Sequence, residues 1–173
     1  MSARTPPCFG FAGHSGSGKT TLMEGVIAAL IGQDWRVSVI KHTHHAVDLD
    51  QPGKDSFRHR AAGAAEVLIA SGQRWALLHE LRGAPEPELP VLLERLSPCD
   101  LVLVEGFKCQ PIPKLEIRRA GYAAPPLFPG DPHIVALAAD CPVAAGLPVF
   151  GLSDYNRIAA FILEQLGLND GPK

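Results

Sequence analysis

Eight consecutive residues, Gly13-His14-Ser15-Gly16-Ser17-Gly18-Lys19-Thr20, have the types and spacing to hold a polyphosphate. They read G-x-x-x-x-G-K-T. Gly16 and Gly18 lack a Cβ, so the backbone there can take a positive φ and approach an anion closely. Successive N–H groups of such a turn point into one concavity. A helix starting near Lys19 adds the positive end of its dipole to the same spot. Lys19 is expected to reach the outer phosphates, the Thr20 hydroxyl to bind Mg²⁺, and Thr21 to touch an inner phosphate.

The flanks supply the context that this pattern requires. Cys8-Phe9-Gly10-Phe11-Ala12 is a short apolar run, as in a buried strand. Leu22, Met23, Val26, Ile27, Leu30 and Ile31 then recur on one face of a helix that ends near Gly32.

The remaining elements read as follows. Trp35–Ile40 is a β-branched strand that gives way to Lys41-His42-Thr43-His44-His45 and a polar stretch, Asp48 to Ser56, with a Pro52-Gly53 turn. A short helix through Arg60 to Ala64 is expected, capped by Asp55 or Ser56. Strands at Ala65–Ala70 and Arg74–Leu81 flank Gly72. A Pro- and Glu-rich linker leads to a helix with Leu89, Leu92, Leu93 and Leu96 on one face, which tolerates Pro90 only in its first turn. Asp100 to Gly106 is continuously apolar up to Glu105, as a parallel strand covered on both faces should be. Lys114–Arg119 alternates and reads as a half-exposed strand in a hairpin. A Pro/Gly-rich loop follows at 121–132, then strands at Ile134–Ala139 and Pro148–Phe150. A terminal helix begins at Ser153 or Asp154, with Ile158, Phe161, Ile162 and Leu166 on its apolar face.

Strands interleaved with helices imply an α/β sandwich of three layers with a mostly parallel sheet and a small antiparallel hairpin extension. The 173 residues are expected to form a single domain, 1–173. Gly13, Lys41-His42, Ser71, Glu105 and Asp140 each follow a strand. Ligands of such sheets bind beyond the carboxyl ends of the strands, so one rim is expected to gather them.

A net charge of −2 without a dense Lys/Arg run argues against nucleic-acid binding. Cys8, Cys99, Cys109 and Cys141 form no C-x-x-C pair, so neither a zinc knuckle nor a redox dithiol is indicated. Residues 1–7 hold no apolar signal core, and no apolar run reaches membrane-spanning length. A cytoplasmic protein without a membrane partner is the expectation.

The candidate groups around the loop each have two readings. Glu105 stands where nucleotide hydrolases place a carboxylate for Mg²⁺; it either holds a metal-bound or attacking water, or only bonds the phosphate loop. Asp48 and Asp50 are candidate Mg²⁺ partners and Lys41 a candidate for phosphate charge, or the segment is a solvated connection. His42, His44 and His45 suggest hydrogen bonding near a nucleotide or, less readily, a transition metal. Asp140 either accepts from a guanine edge or caps a turn, since no N-K-x-D motif is present. Arg58-His59-Arg60 supplies phosphate charge or a solvated helix face.

Taken together, Gly13 to Thr21, Ile40-Lys41-His42-Thr43-His44-His45, Asp48 to Asp55, Leu103 to Lys108, Pro113 to Ile117 and Ile134 to Leu137 resemble the molybdopterin-guanine dinucleotide biosynthesis adapter (MobB) family. The resemblance spans most of the chain. It implies a P-loop NTPase fold and a GTP-binding homodimer with weak, Mg²⁺-dependent hydrolysis. The loop from Gly13 through Thr21, including His14, Ser15 and Ser17, would bind the nucleotide. The implied partners are the guanylyltransferase of molybdenum cofactor synthesis and the molybdenum-insertion protein. Two other classes use the same loop: a small-molecule kinase, only weakly supported by the pairs Arg58/Arg60 and Arg118/Arg119, and a metal-delivery GTPase that uses the histidine loop.

Overall fold

The computed structural model describes residues 5–43, 47–121 and 124–172. The chain divides into two compact units, one of residues 1–42 and 89–173, the other of residues 43–88.

The larger unit is built on a six-stranded sheet. Its strands are β1 (Cys8–Ala12), β2 (Val37–Lys41), β5 (Leu101–Glu105), β6 (Lys114–Arg118), β7 (Ile134–Ala139) and β8 (Val149–Phe150). Their order is β2-β5-β1-β6-β7-β8, and every pairing is parallel. Side chains alternate between the two faces. Phe9 and Phe11, Leu101 and Leu103, and Leu115 and Ile117 point one way. They meet α1 (Lys19–Ile31) through Leu22, Val26 and Leu30, and α4 (Tyr155–Gln165) through Ile158 and Ile162. Val102 and Val104 point the other way, with Ile40, onto Leu89 and Leu93 of α3 (Leu89–Glu94). This makes three layers. Pro90 is the second residue of α3, where it has no intrahelical N–H to lose.

The reading of Lys114–Arg119 as a half-exposed hairpin is corrected. β6 lies between β1 and β7, parallel to both, and Lys114, Leu115, Glu116 and Ile117 are all buried. Its polar residues alternate because they face a polar lining rather than water. Lys114 Nζ donates to the carbonyls of Lys108 (2.9 Å) and Gln110 (2.7 Å) and pairs with Asp131 at 2.8 Å. Glu116 accepts from the backbone N–H of Leu127 and Phe128. Arg118 donates to the Ala124 carbonyl. The Pro-rich segment thus covers this face of the sheet where a helix would otherwise stand, and its Leu127 and Phe128 pack against Ala12, Ile134 and Leu137. Gly10 makes room for the Lys114 stem: a Cβ there would stand 2.5 Å from Lys114 Cγ.

The smaller unit contains α2 (Asp55–Ala61) and an antiparallel pair, β3 (Glu66–Ala70) and β4 (Trp75–His79), which supplies the hairpin extension. Lys54 occupies the N-cap of α2, so Asp55 and Ser56 are not its caps. Ser71, which follows β3, belongs to this pair and not to the rim of the parallel sheet.

Candidate functional site

Gly13, Gly16 and Gly18 have φ of +147°, +78° and +87°, which L side chains rarely adopt. The loop they form wraps back on itself, with Ser17 N–H donating to the His14 carbonyl at 3.2 Å. A Cβ on Gly13 would stand 2.7 Å from Ser17 Oγ, so the turn closes only around glycine. Ser17 Oγ is buried and is, among the described residues, the only buried side-chain polar atom without a hydrogen-bond partner. Gly18 caps α1, and its carbonyl accepts the first turn's bond from Leu22 N–H at 3.0 Å. Lys19 arches over the loop, donating to the carbonyls of Gly13 (3.1 Å) and His14 (2.9 Å). His14 Nε2 donates to the Pro125 carbonyl at 3.0 Å, which ties the loop to the Pro-rich segment.

Because β1, β2, β5 and β7 are parallel, the residues at their carboxyl ends share one rim. Gly13, Lys41, Glu105 and Asp140 therefore lie along it, as expected. Strand alternation puts Glu105 on the α1 face, after Leu101 and Leu103. The Thr20 hydroxyl donates to its carboxylate at 3.3 Å, and Lys41 Nζ lies 3.3 Å from the other oxygen. The chain then turns sharply: Gly106 has φ +94° and Phe107 φ +46°. A Cβ on Gly106 would stand 2.8 Å from the His42 carbonyl oxygen, so glycine is required for this approach. His42 N–H donates to the Glu105 carbonyl at 2.8 Å, and the His42 ring stacks on Phe107 with centroids 4.4 Å apart.

Burial pushes the Lys19 ammonium below its ordinary pKa; Glu105 opposes this, while Lys108 and Lys41 add to it. Lys19 therefore feels two other ammonium groups as well as the Glu105 carboxylate. A further multivalent anion is what such a cluster lacks electrostatically.

Several other candidates are otherwise engaged. The Asp140 carboxylate accepts from Ala120 N–H, joining the segments after β6 and β7. Asp48 and Asp50 belong to the smaller unit. There Arg60 holds Asp48 (2.8 Å), Asp50 (3.3 Å) and Glu80 (2.6 Å), and Ser56 Oγ donates to Asp50 at 2.7 Å. The Ser56 bond is the main reason the Asp50 carboxyl sits below its ordinary pKa. Arg60 is thus a counter-ion hub, whereas Arg58 and His59 are exposed. His44 and His45 lie outside the described residues. Among the described residues no group of three or more His, Cys, Asp or Glu is placed to hold a metal. Lys108 and the buried pair Lys114 and Glu116 were not anticipated.

The family model described as MobB, molybdopterin guanine dinucleotide synthesis protein B, matches residues 8–140. A molybdopterin-guanine dinucleotide biosynthesis adapter protein of Escherichia coli (strain K12) is 41% identical over 168 residues, spanning 95% of this chain and 96% of its own. One from Haemophilus influenzae is 42% identical over 159 residues, spanning 90% and 87%. A crystal structure of molybdopterin-guanine biosynthesis protein B superposes with a TM-score of 0.73 at 28% identity, covering 92% of this chain and 99% of that one. Bacillus subtilis MobB superposes with a TM-score of 0.72 at 25% identity, covering 92% and 98%.

Proposed function

The chain belongs to the MobB family, and from that premise we propose that it is a GTP-binding adapter of molybdopterin-guanine dinucleotide biosynthesis. The observation that carries the nucleotide reading is the meeting of Lys19, Thr20 and Glu105 at one glycine loop. The residues fit the group. Gly13, Gly16 and Gly18 hold the positive φ that folds the loop into a turn, and Ser17 Oγ beside Gly13 is a buried polar atom without a partner. Lys19 exchanges its two carbonyl partners for outer phosphate oxygens. Thr21, exposed on the first turn of α1, serves an inner phosphate. Lys41 adds charge at the outer end.

Thr20 and Glu105 together hold Mg²⁺, an ion that takes oxygen ligands and keeps several waters. The bound ion neutralises phosphate charge. Glu105 is buried, so its carboxylate is held in one place and orients water toward the outer phosphate. It shares its charge with Lys41. This arrangement suits slow hydrolysis, as an adapter requires. Asp140, at the end of β7, is the group available to a guanine edge.

The partners are the guanylyltransferase that completes the cofactor and the molybdenum-insertion protein, and the working form is a cytoplasmic homodimer. This reading is supported by the adapter names of relatives that span most of the chain. Competition of GTP against ATP, with Mg²⁺ present and absent, tests it. GTP should displace a labelled guanine nucleotide at far lower concentration than ATP, and better with Mg²⁺. Equal displacement by ATP, or indifference to Mg²⁺, would contradict the base or the metal assignment respectively.

A further inference from the structure

We propose that Arg119 is a nucleotide-binding residue whose guanidinium contacts the inner phosphates of the bound nucleotide. This deepens the nucleotide reading above and rests on it. Alternation along β6 places Lys114, Glu116 and Arg118 on the face covered by the Pro-rich segment, and Leu115 and Ile117 on the face packed against α1. Arg119 is the next residue on the α1 face, one step past the strand. That step brings it to the start of α1. A Cβ on Gly18 would lie 3.7 Å from Arg119 Cζ, 3.7 Å from Nη1 and 3.8 Å from Nε. Three nearly equal distances mean that the guanidinium plane faces Gly18. Even a Cβ at Gly18 would make only ordinary van der Waals contact with it, so the guanidinium lies flat against the loop at Gly18.

The two neighbouring arginines have opposite situations. Arg118 is turned inward, donating to Ala124 and standing 3.5 Å from Glu116. Arg119 is exposed, and among the described residues its guanidinium has no hydrogen bond and no ion pair. A free planar cation beside a glycine phosphate loop is suited to bidentate contact with phosphate. The position also selects which phosphate. Lys19, Thr20, Glu105 and Lys41 gather on the β5 side of β1, where the outer phosphates belong. Arg119 stands on the β6 side, toward β7 and Asp140, where the nucleoside end belongs. It therefore meets the part of the polyphosphate common to GDP and GTP.

The test is a fluorescence titration of labelled GDP and labelled GTP against the full chain, Arg119→Ala and Arg119→Lys, with Mg²⁺ present. Arg119→Ala should weaken GDP and GTP by the same factor, about ten- to a hundredfold. Arg119→Lys should fall between the two, since a point charge replaces a fork. The melting midpoint of the nucleotide-free protein should stay within about 2 °C of the parent, because the side chain is exposed and unpaired. GDP and GTP affinities within threefold of the parent in Arg119→Ala would overturn the assignment, as would a loss confined to GTP. If the parent chain binds neither nucleotide, the nucleotide reading itself fails and takes this one with it. Retained binding in Arg119→Ala removes the role of Arg119 alone.

Discussion

Replacing Glu116 with alanine should unfold this protein at a markedly lower temperature, although no substrate group is touched. The carboxylate is fully buried. Each of its oxygens lies 3.0 Å from Leu127 N, and one lies 2.8 Å from Phe128 N. Arg118 stands beside it at 3.5 Å. Removing the carboxylate leaves two backbone donors and much of a guanidinium's charge without a partner. A buried unsatisfied donor costs about 1–3 kcal/mol, and breaking a buried charge pair about 3–5 kcal/mol. These terms overlap, so a total of about 3–5 kcal/mol is expected rather than their sum. For a chain of this length each kcal/mol shifts the melting midpoint by about 2–4 °C, which gives a fall of about 6–20 °C. Glu116→Gln keeps one carbonyl acceptor and turns an amide donor toward the other N–H, so it should lose about 1–3 kcal/mol. Urea unfolding followed by circular dichroism measures both, and a lower midpoint at unchanged slope marks a change in stability alone. A loss below about 0.5 kcal/mol in Glu116→Ala would show that the Pro-rich segment is not anchored through this carboxylate.

Three further outcomes follow from the same structure. Gly25→Ala sets helix propensity, a gain of about 1 kcal/mol, against a Cβ that would stand 2.5 Å from the Tyr155 ring of α4. Overpacking costs about 1–3 kcal/mol, so a net loss is expected that Gly25→Ala with Tyr155→Ala partly relieves; a more stable single variant would contradict the helix contact. On acidification, the carboxyls of Asp100 and Asp131 both titrate below their ordinary value of 3.8, Asp100 through its Arg36 hydrogen bond, Asp131 because Lys114 and His133 N–H outweigh its burial. Their folded-state pKa values are depressed, so their stabilisation is present above about pH 4 and is lost as pH falls below it. Asp131→Asn should be less stable at neutral pH and lose less on acidification; an acid profile identical to the parent's would contradict the Lys114–Asp131 pair. Glu105→Gln should slow hydrolysis and blunt the Mg²⁺ dependence of binding while GTP affinity without metal holds, as measured by single-turnover assay and titration; equal losses in all three would contradict its metal and water role.

What was legible in the sequence was what local chemistry dictates. Gly16 and Gly18 in a fixed pattern call for positive φ, and an apolar run ending in Glu105-Gly106 demands a buried parallel strand with a carboxylate at its tip. Both could be read without knowing any partner. β6 could not be read this way. Lys114-Leu115-Glu116-Ile117-Arg118 has the alternation of a strand with one wet face, and what makes that face dry is a segment some 11 to 17 residues further on, which supplies Leu127 and Phe128 N–H and the Asp131 carboxylate. Arg60 escaped for the same reason: its three carboxylates come from positions 12 residues before to 20 residues after it. Ser71 was assigned to the rim because it follows a strand, but a strand in an antiparallel pair has no share in that rim. Arg119 stood in the sequence beside Arg118 as an undifferentiated pair; only the direction of β6 separates the inward arginine from the one lying on Gly18.

The central claim is that the glycine loop at Gly13–Thr20 grips a polyphosphate through Lys19. Calorimetric titration of GTP into the parent chain and into Lys19→Ala, each with Mg²⁺ and each with its melting midpoint recorded, measures it directly. Lys19→Ala should stay folded and lose GTP affinity by at least about a hundredfold. A folded Lys19→Ala protein that binds GTP as tightly as the parent would contradict it.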